Sequence, residues 1–241
     1  MLVLALDTST PEVTAGVVVL HHPHELIAAL QAGEAARPAT LLAQRRVSDG
    51  LGHAERLMPL AAEALAQAGH ALREVDAVVV GIGPGPFTGL RVGMATAAAL
   101  GDALDRPVHG VPSHDGLARS LPPWAGDLLV VTDARRREVY LSGYRADGRR
   151  VLGPLVVAPA AVPAALAEHD LAPGYVTGPG AGLLELAVSR LDVPDHAPAL
   201  GLVEAAAHPL LTGAQPGPLV PLYLRRPDAT VPGARKSVLG R

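Results

Sequence analysis

Gly83-Pro84-Gly85-Pro86-Phe87-Thr88-Gly89-Leu90-Arg91-Val92-Gly93 is the stretch on which the reading of this chain turns. The residues before it, Val75-Asp76-Ala77-Val78-Val79-Val80-Gly81-Ile82, form a nearly unbroken apolar run of the kind covered on both faces in a parallel or mixed sheet. Two Gly-Pro pairs end that strand, and Thr88 offers a side-chain oxygen to cap a helix expected to reach Leu104. Within the helix Gly89, Gly93, Ala97 and Gly101 recur every fourth position. They form one row with almost no side chain on it, where another backbone can approach closely. The glycines also raise the question of phosphate binding. A Walker loop needs Gly-Lys-Ser/Thr, and Gly89 is followed by Leu90-Arg91, so that motif is excluded. A dinucleotide fingerprint needs a third glycine three residues after the second, where Thr88 stands. A tight strand-to-helix turn packed hard against a neighbour is the plain structural alternative.

Composition narrows the function classes. The 241 residues suit one large domain or two small ones, and 49% hydrophobic residues suffice for a core. Aromatics are only 2%, which argues against a stacking platform for single-stranded nucleic acid. The balance of 20 basic and 23 acidic residues, net −3, supplies no global field for nucleic acid. With no cysteine, disulfides, thiolate metal sites and cysteine nucleophiles are excluded. No run approaches the roughly 18 apolar residues of a membrane span, and Met1–Asp7 has no signal-peptide character, so a cytoplasmic location is expected.

Along the chain, Leu2–Leu6 reads as a buried strand ending at Asp7. Thr8-Ser9-Thr10-Pro11 then turns into a second strand, Val13–Leu20. Residues 21–38 read as an extended connection or insertion before a strand at Leu41–Val47. His21, His22 and His24 within it suit a solvated loop better than a metal site. A helix is expected from His53 to Ala68, ended by Gly69, with Leu57, Leu60, Ala61, Ala64 and Leu65 in one apolar stripe. A metallopeptidase helix would carry a second histidine at position 57, where leucine stands. His53 therefore reads as a capping or surface residue. After the glycine-row helix come a strand near Val108–Val111, a helix capped by Ser113, and a linker, Leu121–Asp127. The opening pattern then returns: Leu128–Thr132 ends at Asp133, and a polar turn leads to a strand, Glu138–Tyr144, followed by Val151–Val157. This echo of strand, Asp, hairpin and strand suggests two lobes facing each other across a cleft. Further helices are expected at Ala160–His169, Leu183–Arg190 and Leu202–Leu211, a strand at Tyr175–Thr177, and a disordered tail from Asp228.

Taken in order, Leu4-Ala5-Leu6-Asp7-Thr8-Ser9-Thr10, His53-Ala54-Glu55-Arg56-Leu57-Met58-Pro59, the Gly83–Gly93 signature, Asp133-Ala134-Arg135-Arg136 with Glu138-Val139-Tyr140, and Tyr223-Leu224-Arg225 resemble the bacterial TsaB (YeaZ) family of tRNA threonylcarbamoyladenosine biosynthesis proteins. Three features depart from its pattern: Pro86 in place of serine, a longer segment 21–40, and the additional bulk of Arg137. The resemblance implies an α/β, actin-like, two-lobed fold of the sugar-kinase and heat-shock ATPase class (ASKHA), with mixed sheets flanked by helices. The first lobe is expected over 1–111, completed by about 198–227, and the second over 112–197. In ATP-using relatives both hairpins wrap phosphate and the aspartates at their bases organise magnesium. Here Asp7, Thr8, Ser9 and Asp133 stand in hairpins without glycine, so the nucleotide site is expected to be degenerate.

The resemblance further implies a non-catalytic subunit that binds the catalytic protein TsaD, with TsaE, for threonylcarbamoyl transfer to the adenosine beside the anticodon. ATP and metal are expected on TsaD, with none intrinsic here. A homodimer is expected for the protein alone, tRNA contact only through the complex, and no membrane. The expected partner interface is the apolar stripe Leu57, Leu60, Ala61, Ala64 and Leu65 with the row Gly89, Gly93, Ala97 and Gly101. The glycoprotease (peptidase M22) label of such sequences follows from the same relation. An ATP-dependent phosphotransferase or metallopeptidase of this fold is the enzyme alternative, and direct RNA contact by a basic tail (Arg225, Arg226, Arg235, Lys236, Arg241) is a third reading.

Overall fold

The computed structural model describes residues 1–33, 38–48, 53–191 and 199–225. Two five-stranded mixed sheets carry the fold. In the first, β1 (Leu2–Asp7) lies at the centre, antiparallel to β2 (Glu12–Leu20) and parallel to β4 (Ala77–Gly81). β3 (Ala39–Ser48) and β5 (Val108–Val111) form its edges. In the second, β6 (Asp127–Arg135) is central, antiparallel to β7 (Glu138–Tyr144) and parallel to β9 (Pro173–Thr177). β8 (Arg150–Val157) and the two-residue β10 (Ser189–Arg190) are at its edges. The order β8-β7-β6-β9-β10 repeats β3-β2-β1-β4-β5, so the echo in the sequence is an echo in topology.

Alternation along β1 explains how both faces are covered. Leu2, Leu4 and Leu6 point to one side, against α2 (His53–Ala68) and α3 (Phe87–Leu104). Val3 and Ala5 point to the other side. There they share a core with Leu117 of α4 (Ser113–Arg119), Leu202 of α6 (Ala199–Ala205), and Leu128, Val130 and Tyr144 of the second sheet. One core therefore runs through both lobes. The outer face of the second sheet is closed by α5 (Val162–Glu168) through Val162 and Leu166. A short α7 (Ala207–Thr212) follows α6.

Four expectations need correction. Residues 21–38 are not merely extended: Pro23–Gln31 is a helix, α1. Pro23 has the φ that a first helical residue needs, and the Glu25 carboxylate accepts the His22 N–H at 2.5 Å, a start signal with no buried stripe behind it. Leu183–Arg190 is not a helix; a single 3₁₀ turn, Ala181–Leu183, leads into extended chain and β10. Thr88 does not cap α3, which begins after Pro86, and Ser113 does not cap α4, which begins after Pro112. Ser113 instead ties the central turn: its hydroxyl accepts the Gly83 N–H at 3.3 Å, and its own N–H donates to Gly83 O at 2.7 Å. The side chain of His53 and the tail from Asp228 lie outside the described residues.

Between the lobes α4 and α6 cross with their backbones almost touching. A Cβ on Gly201 would stand 2.1 Å from Gly116 O, and one on Gly116 would meet Leu202 at 2.8 Å. Gly201→Ala therefore forces the two helices apart, and urea unfolding is expected to show a loss of about 1–3 kcal/mol. Gly174→Ala, at a position with nothing within 4 Å, is expected to change stability by less than about 1 kcal/mol.

Candidate functional site

The glycines of the central signature receive the first hairpin. The Thr8 hydroxyl donates to Gly89 O at 2.7 Å, and a Cβ on Gly93 would lie 2.3 Å from Thr8 Oγ1. A Cβ on Gly85 would lie 2.1 Å from Ser9 O, and one on Gly81 would lie 2.0 Å from Asp7 Oδ2. Asp7 Oδ1 accepts the Ser9 N–H at 2.6 Å, which takes a donor that a phosphate-binding turn would offer outward. Asp7, Thr8, Ser9 and Thr10 are all buried, Thr8 completely.

The second hairpin has the same topology and a different end. Asp133 is exposed, and its Oδ1 accepts the Arg135 N–H at 2.6 Å. Arg135, Arg136 and Arg137 then take φ of 60°, 54° and 64°, a left-handed run that costs side-chain-bearing residues about 1 kcal/mol or more each. Of the four expected phosphate-site residues, the fold brings Ser9 and Asp133 to one cavity of about 470 Å³, also lined by Thr10, Glu12, Thr132 and Arg135. Asp7 and Thr8 do not line it. With Thr8 sealed against α3 and two carboxylates on the wall, these residues do not fit a wrapped nucleotide phosphate.

Behind Thr132 runs a buried polar chain that the sequence did not reveal. His114, on α4, bonds Thr132 Oγ1 through Nε2 at 3.0 Å and Ser142 Oγ through Nδ1 at 2.8 Å. Two residues further along β7, the Tyr144 phenol donates to Asp115 Oδ1 at 2.7 Å; Arg150 stands 3.4 Å from the same oxygen. These groups stitch α4 of the lobe junction to β6, β7 and β8. Burial pushes the imidazole of His114 down to about 3, with the Arg150 charge adding to it. The sequence leaves no trace of it, because a polar Ser113-His114-Asp115 run is what an ordinary helix start looks like.

The expected interface residues lie inward. Leu57, Leu60, Ala61, Ala64 and Leu65 are buried on the first sheet, as are Gly89, Gly93, Ala97 and Gly101. Gly101 makes room for Val108, as Gly93 does for Thr8. What α2 and α3 turn to solvent is their other side: on one, Met58, Pro59, Ala62 and Ala66 between Glu55, Arg56, Glu63 and Gln67; on the other, Ala95 and Ala99 with half-buried Val92, between Arg91 and Asp102. The segment near Tyr223 joins the lobes. Leu222 N–H donates to Ile82 O at 2.9 Å, and Tyr223 stacks on Phe87 at 4.8 Å and accepts from Arg91 Nε at 3.0 Å. Arg225 pairs with Glu138 and donates to Ala134 O of the second hairpin.

Comparison with known proteins agrees with this architecture. The family model of TsaD, tRNA N6-adenosine threonylcarbamoyltransferase, matches residues 50–174, just over half of the chain. YeaZ from Pseudomonas aeruginosa superposes with a TM-score of 0.67 at 26% identity, covering 92% of this chain and 99% of that one. The tRNA threonylcarbamoyladenosine biosynthesis protein TsaB of Haemophilus influenzae is 36% identical over 58% of this chain and 52% of its own length. The chain belongs to the TsaB/YeaZ family. An uncharacterized protein of Mycobacterium tuberculosis is 45% identical over 94% of the chain and 93% of its own length. The two mixed sheets flanked by helices are the actin-like, ASKHA-type fold of the family.

The buried histidine makes stability depend on pH with a definite sign. His114 stays neutral in the folded protein down to about pH 3 but protonates near 6.5 once unfolded. Its contribution is complete above about pH 6.5 and falls by about 1.4 kcal/mol per unit as pH drops from there toward 3. Asp115, raised by burial, acts in the opposite sense. His114→Gln, which keeps a donor and an acceptor without a titration, is expected to flatten the plot of unfolding free energy against pH between 4 and 6.5.

Proposed function

We propose that this chain is a non-catalytic scaffold in tRNA threonylcarbamoyladenosine formation, which binds TsaD and works with TsaE in the cytoplasm. The observation that carries the proposal is the outward face shared by α2 and α3. The two helices lie side by side on the first sheet, and their solvent sides carry a stripe of small or apolar residues, Met58, Ala62 and Ala66 with Ala95, Ala99 and half-buried Val92, flanked by the charged or polar Glu55, Arg56, Glu63, Gln67, Arg91 and Asp102. Side chains this small let a second pair of helices come close, as in a four-helix bundle. Such an interface buries on the order of 1,200–2,000 Å², within reach of two helices per partner. In the absence of TsaD the same face pairs two copies of this chain.

The scaffold reading is also supported by how the first hairpin is engaged. The first hairpin spends its hydroxyl and its N–H on α3 and on Asp7. In the proposed assembly ATP and metal belong to TsaD. A phosphotransferase or metallopeptidase would instead need an open hairpin tip or a paired-histidine helix.

Two substitutions in one helix separate the outward face from the inward one. Ala95→Arg is expected to leave the melting temperature unchanged and to weaken association with TsaD at least about tenfold in a light-scattering titration. Ala97→Leu, at a fully buried position, is expected to destabilise the first lobe by about 1–3 kcal/mol. If Ala95→Arg associates as tightly as the parent, the face is misassigned; turnover of ATP by the isolated chain would favour the enzyme reading.

A further inference from the structure

The chain has only six aromatic side chains besides histidine, namely one Phe, one Trp and four Tyr. Three of them, Phe87, Tyr140 and Tyr223, line a single cavity of about 470 Å³ between the start of α3, the second hairpin and the C-terminal segment. Composition argues against a stacking surface, but folding concentrates the few rings in one place. Phe87 and Tyr223 stay 42% and 38% exposed. They are stacked on each other at 4.8 Å, with the Arg91 guanidinium 4.0 Å over the Phe87 ring.

Cations surround these rings. Arg135, Arg136 and Arg225 line the cavity and Arg137 is exposed beside them. On the acidic side, Asp133 lines it and Glu138 is held by Arg225. Three successive arginines in the left-handed region are a costly hairpin tip, where Asn or Gly would sit without strain. All three expose their side chains on the flank of the aromatic cavity. The sequence after Arg225 adds Arg226, Arg235, Lys236 and Arg241 against Asp228 alone.

We infer that this cavity is a binding surface for unpaired RNA, with a base against the Phe87 and Tyr223 rings and the flanking phosphates on Arg91, Arg135, Arg136 and Arg137. Exposed rings interleaved with guanidinium groups are what a single strand needs, since every base has a stacking face and every linkage a charge. A duplex hides its bases and would use the charges only. An acidic peptide would use the charges and leave the rings without planar partners. The surface deepens the proposed function and rests on it only for which RNA is met, giving the scaffold a direct contact with the nucleic acid besides that of its partner.

The test is fluorescence anisotropy with the full-length chain and a labelled, unpaired RNA of about twelve nucleotides, from about 50 to 200 mM salt. Two comparison probes are a blunt RNA duplex and a polyglutamate peptide of equal charge. Binding of the unpaired RNA is expected to be tighter than that of either probe. The double variant Arg136→Asn/Arg137→Asn, which suits the left-handed backbone, is expected to lower the slope of log affinity against log salt by about 1.4, at about 0.7 per phosphate contact. Phe87→Leu is expected to weaken binding by about five- to a hundredfold with the slope unchanged. Absence of RNA binding at 50 mM salt, equal binding of the duplex or of polyglutamate, or an unchanged slope in the double variant would overturn the inference. Because TsaD is absent from the assay, a chain that fails here yet still associates with TsaD loses only this surface.

Discussion

Everything in the first lobe follows from how closely the β1–β2 hairpin approaches α3. Gly89 and Gly93 leave a groove into which Thr8 fits, its hydroxyl bonded to the helix backbone, and Gly85 lets the Ser9 carbonyl lie against the turn. Gly93 and Gly85 need to be without a side chain, because an added Cβ at either would stand closer than 2.5 Å to an oxygen of the hairpin. The consequence is an allocation of surfaces. The row of small residues on α3 and the stripe on α2 are used inside the lobe, Thr8 is used against the helix, and the outward sides of the same two helices are left exposed.

The second lobe has the same strand order and a different use for its hairpin. Where Thr8 is sealed against α3, Arg135-Arg136-Arg137 is held outward at a cost in backbone strain. Between the lobes a continuous apolar core, the α4–α6 backbone crossing and the hydrogen bonds of His114 to Thr132 and Ser142 and of Tyr144 to Asp115 join the two halves. At the mouth of the cleft, Tyr223 and Arg225 span from α3 to the second hairpin.

The central strand, the helices at 53–68 and near 87–104, and the repeated hairpin were legible in the sequence because each carries a periodicity tied to burial. The row Gly89, Gly93, Ala97 and Gly101 was legible as a site of close approach, but which molecule approaches was not. Spacing reports that a face is bare and says nothing about whether the chain's own hairpin fills it. Helix α1 was missed because its start signals, Pro23 and Glu25, stand before a segment with no buried residue. The helix expected at Leu183–Arg190 failed for the converse reason: Leu183, Leu184 and Leu186 have helical spacing, yet Leu184 and Leu186 pack from an extended chain against the second sheet's core. His114 and the gathering of Phe87, Tyr140 and Tyr223 arise from contacts between distant segments, which no local pattern records.

Methyl cross-saturation from unlabelled TsaD to this chain, labelled at alanine methyls, tests the allocation of surfaces most directly. The account predicts strong transfer to Ala62, Ala66, Ala95 and Ala99, and weak transfer to Ala61, Ala64 and Ala97 in the same two helices. Transfer concentrated on the inward alanines, or absent from both helices and found only near the hairpin tips, would contradict it.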